Sequence, residues 1–67
     1  MPIITVTMVT GRDQRQIRAL ISALTEAAHA AIGAPVESIR VIISEVPPAH
    51  FAAGDVTIEE RRSTHDS

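Results

Sequence analysis

Three residues stand where their chemistry would matter: Pro2, Arg12 and Arg40. Pro2 follows the initiator methionine and is small enough for that methionine to be clipped. Its ring nitrogen then becomes a free secondary amine, a nucleophile and proton acceptor that no side chain duplicates. An ordinary α-amino group titrates at about 7.7–8.0. An apolar pocket or nearby cations disfavour the protonated form and lower that value. A modest shift leaves the amine largely neutral at physiological pH, where a general base works best. Taken by itself, Pro2 reads as an ordinary second residue, and the rest of the chain has to decide.

The two arginines differ in setting. Arg12 follows Gly11 in a turn, whereas Arg40 lies among Ile39, Val41 and Ile42. A cation in such apolar surroundings is either a snorkelling interface residue or a ligand for an anion. Either arginine alone reads as a salt-bridge partner. His29, His50 and His65 are far apart and lack metal-ligand spacing, and there is no cysteine. His29 reads as a surface helix residue.

The elements that must position these residues follow from the pattern. Ile3 to Val9 is a strand rich in β-branched residues. Ile4, Val6 and Met8 share one face, and Ile3, Thr5, Thr7 and Val9 the other. Thr10-Gly11-Arg12-Asp13 is a turn. Asp13 is the candidate N-cap of a helix, with Gln16 three residues on completing a capping box. The helix runs to about Ile32, with its apolar stripe on Ile17, Leu20, Ile21, Leu24, Ala27, Ala28, Ala31 and Ile32. Gly33 and Pro35 stop it. Ile39 to Val46 is a second strand, ended by Pro47-Pro48. Ala49 to Asp55 is a loop or hairpin turn, and Val56-Thr57-Ile58 a short return strand. The polar tail from Glu59 to Ser67 has the composition of a mobile end.

The fold class is therefore α/β (α+β): a β-α-β unit of two parallel strands and one long helix, with a short C-terminal hairpin. At 67 residues, the chain is one domain spanning 1–67. A chain this short needs disulfides, a metal or partners, and without cysteine or a metal motif partners remain. Parallel strands are normally buried on both faces, yet one helix covers only one. The chain is thus expected to be an obligate oligomer. The net charge of −2, with no basic run before Arg61-Arg62, excludes nucleic acid as the natural partner. No apolar run approaches a membrane span, and no signal peptide precedes the first strand, so the cytoplasm is the expected compartment.

Geometry links the elements to function. Ten residues of nearly extended chain separate Pro2 from Arg12, roughly 30 Å at about 3.3 Å per residue. One protomer cannot bring them together. If strands from two subunits run antiparallel, the start of one lies beside the end of the other, and Pro2 of one chain meets Arg12 of its neighbour.

At these spacings, Pro2, Gly11-Arg12, Ala34-Pro35, Arg40-Val41-Ile42-Ile43 with Glu45, and His50-Phe51 with Gly54 resemble the 4-oxalocrotonate tautomerase family, also called 2-hydroxymuconate tautomerase. The resemblance runs without gaps from Pro2 to about Gly54. It implies a cofactor-free, metal-free isomerase that assembles as a homohexamer, a trimer of dimers, and takes an unsaturated keto acid or diacid. Carried onto matching positions, Pro2 would be the general base. Arg12 of a neighbour would hold the distal carboxylate, and Arg40 of another neighbour would bind the 2-keto end. Phe51 would form part of the apolar wall, with Val9 and Ala53 also against substrate.

The departures bear on substrate. Ala52-Ala53 occupy a segment that is bulkier and glycine-flanked in the familiar diacid tautomerases. Relatives that hydrate or dehalogenate small acids use an acidic residue where Ala53 stands, so water-activating chemistry ranks low. Glu45 belongs to a strand end, and His50 has a turn role beside any role in the site. A tautomerase of a natural-product pathway and a non-catalytic oligomeric binding protein of the same fold are the alternatives.

Overall fold

The computed structural model describes residues 2–65. Strand β1 (Ile3–Val9) leads through the Gly11 turn into helix α1 (Gln14–Ile32). A single 3₁₀ turn at Val36–Ser38 feeds strand β2 (Arg40–Val46), and a second at Pro48–His50 follows it. The two-residue strands β3 (Ala52–Ala53) and β4 (Val56–Thr57) form a hairpin, and helix α2 (Ile58–His65) ends the described chain. No helix among the described residues is long and apolar enough to cross a membrane.

β1 and β2 are parallel and in register from Ile3↔Arg40 to Val9↔Val46. This is the β-α-β unit with a C-terminal hairpin that the apolar pattern predicts. The α1 start matches expectation in detail. Asp13 Oδ1 accepts from the Gln16 backbone N–H at 2.8 Å, and Gln16 Oε1 accepts from the Asp13 backbone N–H at 3.1 Å. A cap of this kind stabilises a helix by about 1 kcal/mol. At the other end, Gly33 adopts a left-handed conformation and its N–H donates to the His29 carbonyl at 2.9 Å. His29 is exposed and its Nδ1 donates to the Ala34 carbonyl at 2.7 Å, a tie that secures the helix exit.

Two boundaries shift from the sequence expectation. β2 begins at Arg40, because Ile39 ends the 3₁₀ turn, with its N–H donating to the Val36 carbonyl at 3.2 Å. The return strand stops at Thr57, because Thr57 becomes the cap of a helix: its Oγ1 accepts from Glu60 N–H at 3.0 Å while Glu60 Oε1 accepts from Thr57 N–H at 2.8 Å. The segment read as a polar tail from Glu59 is therefore helical through His65, with Glu59 and Glu60 favourably placed in its first turn. Asp66 and Ser67, the end of that predicted tail, lie outside the described residues.

α1 covers one face of the sheet, where Ile4, Val6, Met8, Val41 and Ile43 are half-buried. Ile17 and Ile39 are the buried hydrophobic residues of the described chain, at 9% and 8% exposure. The opposite face carries Ile3, Thr5, Thr7, Arg40, Ile42 and Ser44, all exposed. Ile3 and Ile42 remain 63% and 52% exposed there. The protomer measures 48 × 25 × 15 Å with a radius of gyration of 15.4 Å. A compact domain of this length would have a radius near 11 Å. A two-stranded sheet with so little enclosed core is marginal by itself.

Candidate active site

The candidate residues fall into two groups at opposite ends of β1. At its end, Thr10 N–H donates to the Val46 carbonyl at 2.9 Å, which holds the chain against β2 before it turns. Gly11 makes that turn at φ +135°, a conformation that side chains rarely adopt. The turn brings Arg12 alongside a cavity of about 390 Å³ lined by Val9, Thr10, Gly11, Arg12, Phe51, Ile58 and Arg62.

The far wall of the cavity is built by the C-terminal segment. Gly54 (φ +59°) and Asp55 (φ +67°) form the two-residue turn of the β3–β4 hairpin, a geometry that demands positive φ at both positions. The hairpin returns the chain so that Ile58 N–H donates to the Phe51 carbonyl at 2.8 Å. α2 therefore starts against Phe51. Ile58 and Arg62, four residues apart, share the face of α2 that lines the cavity.

The other group sits at the start of β1. Arg40 N–H donates to the Pro2 carbonyl at 3.0 Å, so the two backbones are adjacent. The Arg40 side chain is exposed on the face it shares with Ile3 and Ile42, and its Nη1 donates to the Glu37 carbonyl at 2.9 Å. Pro2 itself is half-buried.

Thus Val9, Arg12 and Phe51 come together in one protomer, and Pro2 lies beside Arg40 at the opposite strand end. Ala53 does not line the cavity. It is exposed in the hairpin, where its carbonyl accepts from Arg61 Nη2 at 3.4 Å. Glu45 is exposed near the end of β2 opposite Met8, and His50 is exposed in its 3₁₀ turn. Ile58 and Arg62 were not singled out from sequence. The signal was present: Thr57-x-x-Glu60 has the spacing of a capping box, which makes Ile58 and Arg62 one helical face rather than strand end and tail.

Chemically, the cavity offers guanidinium groups beside an apolar wall, a setting for a carboxylate attached to an unsaturated chain. The strand start offers a third guanidinium, that of Arg40, and Pro2, whose nitrogen would be an amine only after methionine removal. Pro2 and Arg40 thus stand at one end of the strand, and Arg12 and Phe51 at the other.

Comparison with known proteins identifies the family. The model of the Tautomerase enzyme family matches residues 2–61, and the chain belongs to that family. It is 54% identical over 56 residues to a probable tautomerase of Ralstonia nicotianae, covering 84% of this chain and 80% of the relative. Among solved structures it is similar to TomN, a 4-oxalocrotonate tautomerase homologue of the tomaymycin biosynthetic pathway. That likeness has a TM-score of 0.90 and 45% identity and covers 92% of this chain and 95% of TomN. It is also similar to a heterohexamer 4-oxalocrotonate tautomerase from Chloroflexus aurantiacus J-10-fl, with a TM-score of 0.85 and 40% identity, covering 90% and 97% of the two chains. The resemblance carried by Pro2, Arg12, Arg40 and Phe51 is thereby extended across almost the whole fold.

Proposed function

We propose that this chain, after loss of Met1, is a cofactor-independent tautomerase that moves a proton within an unsaturated 2-hydroxy or 2-keto acid such as 2-hydroxymuconate. One observation carries the reading: the two halves of the candidate site lie at opposite ends of β1, with Pro2 at the start and Val9, Arg12 and Phe51 at the end. Antiparallel association of two β1 strands brings each Pro2 to a neighbour's Arg12 cavity. The outer edge of β1 is unpaired among the described residues, and the uncovered sheet face carries Ile3 and Ile42. Both are surfaces for assembly, and the heterohexamer of the Chloroflexus relative supports a six-subunit arrangement, here of identical chains.

In the proposed reaction the Pro2 nitrogen accepts a proton from the dienol and returns it to carbon, giving the conjugated or deconjugated ketone. Arg12 of a neighbouring subunit holds the distal carboxylate by bidentate pairing. Arg40 of another neighbour binds the 2-keto end and stabilises negative charge as it develops on that oxygen. Its position on the Ile3–Ile42 face, turned outward from its own protomer, suits service to a different subunit. Val9 and Phe51 exclude water from the amine. Ala53, by its small size, shapes the hairpin rather than the cavity wall. Acid–base help of this kind is worth about 10²–10⁴-fold, or about 3–5 kcal/mol of barrier. With no cysteine in the chain, a cytoplasmic setting fits this reading.

The likeness to TomN, together with Ala52-Ala53, favours one second reading: the same proton transfer on an intermediate of a biosynthetic pathway. The test is ultraviolet monitoring of 2-hydroxymuconate ketonisation by protein whose mass shows that it starts at Pro2. Rapid, saturable turnover supports the diacid reading. Turnover only with other unsaturated keto acids supports the second, and none with any of them overturns both.

A further inference from the structure

We propose that Ile58, the first residue of α2, determines specificity by setting the width of the cavity beside Phe51. The site then takes an unbranched unsaturated chain and turns away one branched at the carbon next to the carboxylate that Arg12 holds. The proposal rests on the tautomerase reading for its substrate, and on the cavity for its geometry.

The apolar side chains lining the cavity are those of Val9, Phe51 and Ile58. All three residues are half-buried. Ile58 is the only apolar residue of α2, since Glu59 to His65 are all polar. An otherwise polar helix thus presents its one hydrocarbon side chain to the cavity. The hairpin supplies no other bulk there: Ala52 and Ala53 are exposed, and neither lines the cavity.

The backbone fixes where Ile58 stands. The hairpin pairs Ala52 with Thr57 across the Gly54-Asp55 turn, which brings the chain back beside Phe51. Ile58 N–H then donates to the Phe51 carbonyl at 2.8 Å, and the Thr57–Glu60 capping box holds the start of α2. The side chain is constrained as well. A β-branched residue is stiff at χ1, so Ile58 does not swing aside for a wider ligand as an unbranched side chain would. Phe51 offers a flat face to a planar conjugated chain, and a branch on that chain must find its room against Ile58. One carbon more or less against an apolar wall changes discrimination by about tenfold or more.

The experiment compares hexa-2,4-dienedioate (muconate) with its 2,5-dimethyl derivative, which carries a methyl beside each carboxylate and so presents one to Ile58 in either orientation. Both lack the 2-hydroxyl, so calorimetric binding to the assembled protein is read without turnover. Wild type is expected to bind muconate about tenfold more tightly than the dimethyl acid. Ile58→Ala should tighten the dimethyl acid about tenfold and leave muconate within about threefold. Ile58→Val, which removes a single methyl and disturbs folding least, should fall between. A gain in affinity for the wider acid is a readout that a merely structural role would not move. In turnover, Ile58→Ala should raise kcat/KM for 2-hydroxy-5-methylmuconate about tenfold relative to 2-hydroxymuconate. Equal wild-type affinity for the two acids overturns the proposal, as does a wild type that binds neither. An unchanged affinity ratio in both variants also overturns it, and equal weakening of both acids makes Ile58 a packing residue of the hairpin instead. If wild type binds muconate yet turns over no hydroxy or keto acid, the tautomerase reading fails while the binding comparison still decides Ile58.

Discussion

Subunit mixing tests where the site is assembled. Pro2 and Arg12 bracket the seven residues of β1, so extended chain keeps them roughly 30 Å apart in any one protomer. If each site of a homo-oligomer takes Pro2 from one chain and Arg12 from another, Pro2→Ala and Arg12→Ala should each disable every site. Unfold the two variants together at equal concentration and refold them, and the chains distribute at random. Half of the Pro2 positions then come from Arg12→Ala chains, and half of the neighbouring Arg12 positions come from Pro2→Ala chains. About one site in four is therefore complete, and the mixture should reach about a quarter of wild-type kcat/KM. Arg40 is intact in both variants and does not dilute this number. The assay is ketonisation at substrate well below KM, where loss of carboxylate binding is fully felt. Each variant refolded alone provides the baseline. Activity equal to the mean of the two baselines would refute assembly of the site from different subunits, because a site contained in one chain has no complete copy in the mixture.

Further outcomes follow from the same arrangement. Arg40→Ala should reduce turnover more than Arg12→Ala, which should chiefly raise KM; equal kcat losses in steady-state kinetics would contradict that division. Ile42→Asp places a charge on the uncovered sheet face and should dissociate the oligomer, read as a fall in mass by light scattering, because burying the exposed half of such a side chain contributes about 1 kcal/mol or more per subunit. Thr57→Ala removes the α2 cap and should cost about 1 kcal/mol in chemical denaturation.

Much of this was legible in the sequence. Asp13 and Gln16 specified their own capping box, and the Ile17-Leu20-Ile21-Leu24 spacing specified which side of α1 faces the sheet. The alternation in β1 placed Ile3 on the face that α1 leaves uncovered. Gly54-Asp55 marked the hairpin. Two things were harder to read. Ile39 has a strand-former's side chain, yet its backbone closes a 3₁₀ turn, since one buried residue can end one element and precede the next. Apart from Ile58, the segment after Thr57 is polar, with no apolar stripe to reveal a helix, so only the Thr57–Glu60 spacing signals α2. Without that helix, nothing in the sequence pattern puts Arg62 beside the cavity. Ala53 was carried over by its position after Phe51, but the tight hairpin turns it away from the cavity that Phe51 lines.

The proton acceptor is tested most directly by following the Pro2 nitrogen itself. Protein starting at Pro2 and labelled with ¹⁵N-proline is titrated by NMR, and the pH dependence of kcat/KM is measured on the same sample. The amine should titrate as a single group, and kcat/KM should rise with pH on that same apparent pKa, since only the neutral amine accepts a proton. Pro2→Ala should lose most of the activity. A kcat/KM profile that ignores the Pro2 titration, or full activity in Pro2→Ala, would contradict the assignment of the amino-terminal proline as the base.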